Sequence, residues 1–400
     1  MPTPNDLMRA PLRPEARLLF LTAWDKTADA SIVELSSRIR NWPWFIGVAE
    51  LERATRIAWE RLSSLGASPR EEASARQLEQ LATIAAFRAE HLKARLSETL
   101  DVLAREGIGV VLLKGAALAT TVYPSFIERP MGDLDLMVVP ADAERAHRAA
   151  RSVGWKWNEG AFPAARYDGH HHLPPLDDAA GTGVRLELHR GIAIEGHPFA
   201  LSLDDLRERG RTVQIGGKSA WVPSPELLLL HEAVHFAWSH VLSFGSWRTA
   251  RDVQLMARVG EVDWDRFVET ARRHRAESCA YWTLSLARLL AGANIPETVL
   301  QNCRPRLGGV GQRLLERHFI YHLFPIEEEW PSERLRRSLW EKAIQPEQYG
   351  HGAKRPWEFD DRGPEVTLVA DGAPAPAKVD RLGKLGIWAR YFRAVSSLQS

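Results

Sequence analysis

Residues 109–139 read GVVLLKGAALATTVYPSFIERPMGDLDLMVV, and this stretch decides the fold. The apolar run Gly109–Lys114 is typical of a short buried strand, and Ala116–Tyr123 is typical of a short helix. The first residues of Asp133–Val139 alternate between acidic and apolar, which predicts a second strand that Pro140 ends. The sequence therefore predicts a strand, a helix and a strand in direct succession.

The residues that follow extend this pattern. Ala141–Ser152 predicts a helix that Gly154 stops, and Trp155–Trp157 predicts a further strand. Gly160–Gly183 is rich in His, Pro, Asp and Gly, which indicates a loop or insertion beside the sheet. Val184–Arg190 (VRLELHR) alternates cleanly between polar and apolar residues. Its polar face carries Arg185, Glu187 and His189. Together these elements predict an α/β (α+β) fold with a small mixed β-sheet.

Helical periodicity flanks this core on both sides. We expect an N-terminal helical region at 1–107, the α/β core at 108–222, a C-terminal helical region at 223–345 and a flexible or accessory segment at 346–400. Ser68 and Pro69 predict the start of a long helix that runs to about Arg105, with room for a break near its middle. Ser224-Pro225-Glu226 predicts the first helix of the C-terminal region.

The overall composition is that of a soluble globular protein of 400 residues. With 52 basic and 51 acidic residues the formal net charge is +1, which argues against a general nucleic-acid binder. The two cysteines predict no disulfide framework, so we expect a reducing, cytoplasmic setting. Neither a signal peptide nor a membrane-spanning segment is expected from the distribution of apolar residues.

Acidic residues on the two predicted strands suit a site for divalent cations. Asp133 and Asp135 are two residues apart on one strand, so they point to the same face, about 7 Å apart. Glu187 lies on the polar face of the later strand and supplies a third carboxylate. Two-metal sites hold their ions about 3.5–4 Å apart and prefer oxygen ligands. We predict that Asp133, Asp135 and Glu187 are catalytic and hold Mg²⁺, with two ions.

The junction between the first strand and its helix suits phosphate groups. Gly115 allows close approach of the backbone, and the start of a helix offers free N–H groups to an anion. Lys114 adds a positive charge suited to phosphate, and Arg129, four residues before Asp133, is a second candidate. We predict that Lys114, Gly115 and Arg129 bind a nucleotide.

Several segments resemble the family of uncharacterised nucleotidyltransferases, a distant branch of the polymerase-β-like superfamily. In the core they are LLKGAALATTVYPSFIERPMGDLDLMVV at 112–139, HHHLPPL at 170–176 and LELHR at 186–190. In the helical part they are PSPELLLLHEAVHFAWSH at 223–240, WRTARDVQLM at 247–256 and VDWDRFVETARRHR at 262–275. The resemblance extends from about residue 15 to 300.

This resemblance implies that Asp133 and Asp135 are metal ligands, that Glu187 is the third carboxylate and that Gly115 belongs to the turn for nucleotide phosphates. Members often occur with genes for peptide natural products, including lasso peptides, which points to a peptide or other small metabolite as acceptor. The broader superfamily usually has Gly-Ser at this turn, and its serine helps to hold the triphosphate. Here the turn reads Lys114-Gly115-Ala116, as this branch of the superfamily favours.

A second metal motif gives an alternative function. The sequence HEAVH at 231–235 matches H-E-x-x-H, which on a helix places two histidines on one face for Zn²⁺ and the glutamate as a base. A zinc metallopeptidase needs a third ligand, for which Glu261 and His240 are the candidates. The apolar residues at helical spacing around this motif favour a structural role, or a substrate-facing role for its histidines.

Further residues are candidates for contacts with the acceptor or the nucleotide. They are His171, His172, His189, His235 and Arg248. Three consecutive histidines cannot all face one site in regular structure, so we expect one of His170, His171 and His172 to be buried and the others solvated. Arg248 either forms a surface pair with Asp252, four residues later, or contacts a substrate.

The sequence therefore predicts a Mg²⁺-dependent nucleotidyltransferase. It would transfer a nucleotidyl or phosphoryl group from a nucleoside triphosphate, with ATP as the expected donor, to a small molecule or peptide. The alternatives are the zinc metallopeptidase and a non-catalytic nucleotide-binding protein of the same fold.

Overall fold

A mixed β-sheet forms the centre of the computed structural model, which describes residues 3–194, 196–199, 201, 203–243, 245–324, 333–352, 354–358 and 381–396. Its strands are β1 Val111–Leu112, β2 Asp133–Met137, β3 Trp155–Trp157, β4 Leu176–Asp178, β5 Arg185–His189, β6 Arg211–Ile215 and β7 Lys218–Val222. Their order across the sheet is β3-β4-β5-β2-β1-β7-β6. The pairs β2–β5 and β1–β7 are parallel, and the other neighbours are antiparallel.

The predicted mixed sheet is confirmed, and two parts of it were not foreseen. Strand β4 lies inside Gly160–Gly183, which the composition had indicated as a loop, because Leu176–Asp178 pairs with both β3 and β5. The hairpin of β6 and β7 turns at Gly216-Gly217 and extends the sheet beyond β1. Two glycines between two alternating segments are a hairpin signal, so this element was readable from the sequence.

Among the described residues, three α-helices belong to the sheet region. They are α7 Lys114–Thr121, α8 Ala143–Ser152 and α9 Leu203–Arg207. Helix α7 begins at Lys114, directly after β1, so the lysine stands at the junction of strand and helix, as expected. In β2 and β5 the apolar residues Leu134, Leu136, Leu186 and Leu188 are buried, which is the alternation that the sequence predicted.

The N-terminal helices precede the sheet, and the last of them packs against β2 and β7. They are α1 Pro4–Met8, α2 Pro14–Leu21, α3 Asp29–Ser36, α4 Trp42–Leu51, α5 Thr55–Ser64 and α6 Glu72–Arg105. Helix α6 is one unbroken helix of 34 residues, and it begins three residues later than Pro69 because Glu71 takes the N-cap position. Its core-facing side carries Leu78, Ala82, Leu92, Leu96, Leu100 and Leu103 at helical spacing.

The C-terminal helices follow β7. They are α10 Pro225–Val234, α11 Ser246–Val259, α12 Trp264–Arg273, α13 Glu277–Ala291, α14 Glu297–Cys303, α15 Gly309–Tyr321, α16 Glu333–Ile344 and α17 Arg381–Ser396. Helix α10 starts as predicted, because the Ser224 hydroxyl accepts a hydrogen bond from the Leu227 amide at 3.3 Å. A π-helical turn, His235–Ser239, continues α10.

The N-terminal and C-terminal helices are joined by buried tryptophans. The Trp24 indole donates a hydrogen bond to the Leu290 carbonyl at 2.7 Å, and the Trp247 indole donates one to the Leu19 carbonyl at 2.8 Å. One contiguous apolar cluster runs from the first helices through the sheet to Ile344. Both helical regions are therefore packed on each other as well as on the sheet.

The segment predicted at 346–400 is described in part. Residues 359–380 and 397–400 lie outside the described residues. In the described part, Arg355 is buried and pairs with Glu341 and Glu347, which holds the chain after α16 against the helices. Helix α17 contacts α15, where the Tyr391 hydroxyl lies 2.9 Å from His318 Nδ1.

The cysteines and the apolar helices are the features on which the expected compartment was based. Both cysteines, Cys279 and Cys303, are buried free thiols. Among the described residues, no helix has the length and apolar character needed to cross a membrane.

Candidate active site

The two central strands place the predicted carboxylates side by side. In the parallel pairing of β2 with β5, Asp135 lies opposite Glu187, Asp133 lies opposite Arg185 and Met137 lies opposite His189. Because alternate residues share a face, both aspartates stand on the same side of the sheet as Glu187 and His189. The predicted polar face is formed by two adjacent strands that are about 50 residues apart in the chain.

Asp135 is the buried centre of this face. Its Oδ1 atom accepts hydrogen bonds from Lys114 Nζ at 2.8 Å and from His189 Nε2 at 2.9 Å. Burial by itself raises the pKa of Asp135, but the charge of Lys114 and the hydrogen bond from His189 outweigh it and hold the pKa well below its usual range. Asp135 is therefore ionised at neutral pH.

Glu187 is partly buried beside Asp135. Burial, and next the negative charge of Asp135, raise the pKa of Glu187 to about 8. The ligand atoms of Asp135, Glu187 and His189 all lie within 4.8 Å of one another. Carboxylates this close repel each other, and a divalent cation bound by these oxygen and nitrogen atoms would relieve that repulsion. The residues present thus fit a divalent metal ion.

Asp133 differs from Asp135 in its surroundings. It is exposed, at the start of β2, and it lies outside the cluster of Asp135, Glu187 and His189. The role of Asp133 as a metal ligand therefore stays a prediction. His189, a candidate substrate contact in the sequence, lies instead within reach of both acidic residues, 3.8 Å from Glu187 Oε2.

Lys114 reaches Asp135 from a constrained backbone. Its φ of 42° lies in the left-handed region, which is uncommon for a residue other than glycine. Next to it, Gly115 packs so closely against the Arg129 guanidinium that a Cβ atom at this position would overlap it. The glycine predicted for close backbone approach is thus approached by an arginine of this chain.

Arg129 is engaged in a buried ion pair. Its Nη2 atom donates to Asp252 Oδ2 at 2.8 Å, and the Tyr123 hydroxyl donates to Asp252 Oδ1 at 2.6 Å. This network fastens α11 to the turn before β2. The pairing also corrects the expectation for Asp252, which is fully buried and does not form a surface pair with Arg248. The predicted contact of Arg129 with phosphate stays a prediction.

The three consecutive histidines converge, and because His170 and His172 are both buried, the expectation that two of the three would be solvated is wrong. The nitrogen atoms of His170, His171 and His172 lie within 4.8 Å of one another. They can do so because the chain turns tightly there: the His170 amide bonds to the Tyr167 carbonyl, and Arg190 donates to the carbonyls of both residues. The rings of His171 and His172 each lie 5.4 Å from that of His189, so the cluster adjoins the carboxylates.

The HEAVH segment does not form a zinc site of the peptidase kind. The rings of His231 and His235 are edge to face at 6.4 Å between centroids, where α10 passes into the π-helical turn. In the part of the chain that the structure describes, neither histidine belongs to a cluster of three ligand atoms within 4.8 Å. Glu232 is buried in the electrostatic surroundings of Asp252 and Arg129, and its pKa is raised to about 7 by burial and by Asp252.

These histidines line a cavity beside Lys114. Its wall includes Lys114, His171, His197, His231, His235 and His274, with apolar side chains between them. Burial lowers the pKa of His231 to about 3 and lowers that of His235 well below its usual range. Both imidazoles are therefore neutral at pH 7, and each can donate one hydrogen bond and accept another.

Two residues near the site had no signal in the sequence. The Arg53 guanidinium lies against Gly132, directly before Asp133, so closely that a Cβ atom at 132 would overlap it. Glu52 is buried, and its Oε2 atom accepts a hydrogen bond from the Trp247 amide at 3.1 Å, at the start of α11. Both lie between α4 and α5, about 80 residues before β2, and no periodicity links them to it.

Paired carboxylates on adjacent strands, with a lysine at the strand–helix junction that precedes them, are an arrangement suited to the transfer of phosphate groups. The chain belongs to the family described as "Uncharacterised nucleotidyltransferase", whose model matches residues 39–292. The matched region contains the carboxylates, Lys114 and the histidine-lined cavity. Nucleotidyl transfer is therefore the general kind of reaction, and the protein is an enzyme. No curated protein and no solved structure matches the chain significantly.

Proposed function

We propose that the protein is a Mg²⁺-dependent enzyme that transfers a nucleotidyl group from a nucleoside triphosphate, with ATP as the proposed donor, to a small molecule or peptide. The observation that carries this proposal is the register of β2 and β5, which sets Asp135 opposite Glu187. Lys114 donates a hydrogen bond to the Asp135 carboxylate. The family match supports the reaction class, and the donor, metal and acceptor are our proposals.

Asp135, Glu187 and His189, with Asp133 at the rim, would hold the metal. A divalent ion bound there supplies charge neutralisation for the phosphates. The acceptor oxygen attacks the α-phosphorus, a new P–O bond forms, and the bond to the bridging oxygen breaks so that pyrophosphate leaves. The acceptor's proton passes to a base, for which Glu187 is our candidate because its carboxylate lies directly beside Asp135 on the same face of the sheet.

The histidine-lined cavity is our proposed acceptor site. It adjoins Lys114, and its neutral imidazoles alternate with apolar walls from Phe199, Leu201 and Leu230. Such a lining suits a hydroxyl-bearing group on an apolar body, because the imidazoles satisfy the hydroxyl without a charge. The candidates His171 and His235 line this cavity, whereas His172 packs beside the His189 ring.

The proposal is tested by the substitution Asp135→Asn, with Asp177→Asn, at a half-buried carboxylate of β4, as the matched control. We expect Mg²⁺-dependent binding of one nucleoside triphosphate, measured by titration calorimetry, to be lost in Asp135→Asn and kept in Asp177→Asn. Turnover is followed as pyrophosphate release with candidate hydroxyl acceptors, in Mg²⁺ and in Mn²⁺, since the histidine ligand also suits Mn²⁺.

Two outcomes would contradict the proposal. Full activity of Asp135→Asn would show that the Asp135 carboxylate is not needed for the reaction. Binding of nucleotide without pyrophosphate release, with every acceptor, would instead favour a non-catalytic nucleotide-binding protein.

A further inference from the structure

Three arginines from the helical regions converge on the Asp133 end of the site. Arg53, between α4 and α5, lies against Gly132. Arg88, on the exposed side of α6, reaches Gly183 just before β5, with its Nη2 atom 3.9 Å from the position of a Cβ there. Arg248, in the first turn of α11, folds back over Gly245. Arg53 and Arg88 therefore border the starts of β2 and β5, and Arg248 is close enough for its charge to act on Arg53.

The charges of these arginines are poorly balanced. Among the described residues, none of Arg53, Arg88 and Arg248 has a carboxylate oxygen within 4.0 Å. Desolvation lowers the pKa of Arg53, Asp133 opposes that effect, and the positive charges of Arg248 and Arg88 lower the pKa further. Glu52 is a second carboxylate that interacts with the charge of Arg248, and burial raises its pKa. Guanidinium groups that repel one another beside the exposed carboxylate of Asp133 form a site that an anion would stabilise.

The arginines and the histidines stand at opposite ends of the polar face. Asp133 begins β2, Asp135 and Glu187 lie in the middle, and His189 is opposite Met137 at the far end. With a rise of about 3.3 Å per residue, the two ends are about 13 Å apart. Transfer with the attacking and leaving oxygens in line requires the acceptor and the leaving pyrophosphate on opposite sides of the α-phosphorus. Because the proposed acceptor cavity lies at the histidine end, the pyrophosphate would leave towards the arginine end.

We infer that Arg53, Arg88 and Arg248 bind the β- and γ-phosphates of the nucleoside triphosphate, so that the helical regions supply the triphosphate site. This inference rests on the proposed function. It also accounts for the turn Lys114-Gly115-Ala116, which lacks a serine hydroxyl and whose lysine is bonded to Asp135. Guanidinium groups match phosphate oxygens with two parallel hydrogen bonds, which a turn built on a lysine does not offer.

The test uses the full chain and titration calorimetry in Mg²⁺ with three probes: ATP, AMP and inorganic pyrophosphate. The variants are Arg53→Gln, Arg88→Gln and Arg248→Gln, and Arg76→Gln on the solvent side of the same helix as Arg88 is the control. We expect each site variant to bind ATP and pyrophosphate at least about tenfold more weakly, since each loses charge-assisted hydrogen bonds. AMP binding and the Arg76→Gln variant should be unchanged.

The outcomes separate this inference from the proposed function. If wild type binds ATP and all three site variants bind it within about threefold of wild type, the arginine assignment is overturned while the nucleotide site stands. Pyrophosphate binding that is lost in the variants, in a protein that binds no nucleoside triphosphate, would support the arginines and contradict the proposed donor. If wild type binds neither a nucleoside triphosphate nor pyrophosphate, both proposals are overturned. Arg88→Lys, which keeps the charge, should recover part of the affinity and so excludes a purely structural effect.

Discussion

At two positions of the site, the guanidinium group of an arginine packs directly against a glycine. Gly115 accommodates Arg129, and Gly132 accommodates Arg53, each at a distance that leaves no room for a Cβ atom. Asp135 accepts its two hydrogen bonds on one oxygen, from Lys114 and His189. At the residue scale the site therefore depends on small residues next to the carboxylates as much as on the carboxylates themselves.

The substitution Gly132→Ala tests the placement of Arg53 without removing its charge. The new methyl group would displace the guanidinium from its position before Asp133, so we expect ATP affinity to fall at least about threefold, through a weakened charge-assisted hydrogen bond. Gly109→Ala is the control, because a Cβ there meets nothing within 4 Å. Unchanged ATP affinity in a folded Gly132→Ala protein would show that this position of Arg53 is not needed for binding.

Helix α11 links the sheet to both helical regions. Its start is held by the Glu52 carboxylate, its first turn carries Arg248, and its second turn carries Asp252, which pairs with Arg129. The π-helical turn His235–Ser239 lies between α10 and α11, so His235 does not follow the α-helical spacing of α10. Such turns are frequent at functional sites. The element thus carries both a structural carboxylate and a proposed phosphate ligand.

We expect Asp252→Asn to destabilise the protein by about 3–5 kcal/mol, because it leaves the buried Arg129 charge without its partner. The measurement is the free energy of unfolding in urea at pH 7.5. Glu297→Gln, at the exposed ion pair with Arg288, is the comparison and should cost about 1 kcal/mol or less. Equal losses in the two variants would mean that the Arg129–Asp252 pair does not anchor α11.

Across the whole molecule, histidines are buried away from the site as well as in it. His318 on α15 and His322, the C-cap residue of that helix, are both 3% exposed and pack against Tyr391 of α17. Burial, and next the charge of Arg336, lower the pKa of His318 to about 4. The packing of the C-terminal helices therefore requires neutral imidazoles.

This burial predicts that stability decreases in mild acid. Above pH 6.5 His318 is neutral in both the folded and the unfolded chain, so it does not make the free energy of unfolding depend on pH. Between pH 6.5 and about 4 only the unfolded chain binds the proton, so the free energy of unfolding decreases as the pH falls. The full loss from His318 is about 3 kcal/mol, reached near pH 4. We would measure urea unfolding at pH 7.5, 6.5 and 5.5 in wild type and His318→Gln. The variant should lose less stability than wild type over this range, and parallel curves would refute the assignment.

Much of the core was determined by the sequence itself. The alternation in Asp133–Val139 and Val184–Arg190 predicted two strands with Asp133, Asp135 and Glu187 on polar faces, and Ser224 marked the start of α10. These predictions succeed because a strand or helix has a fixed period, so the residues that share a face follow from spacing alone. The reaction class was likewise readable from the same motifs, as the family match shows.

Only the tertiary structure decided which faces meet. The parallel pairing of β2 with β5 sets Asp135 opposite Glu187, and helix packing brings Arg129 to Asp252 across 123 residues and Arg53 to Gly132. The convergence of His170, His171 and His172 depends on a tight turn held by Arg190. The physical reason is that local periodicity sets the direction of a side chain within its own element, whereas its partners depend on strand order and packing between distant segments.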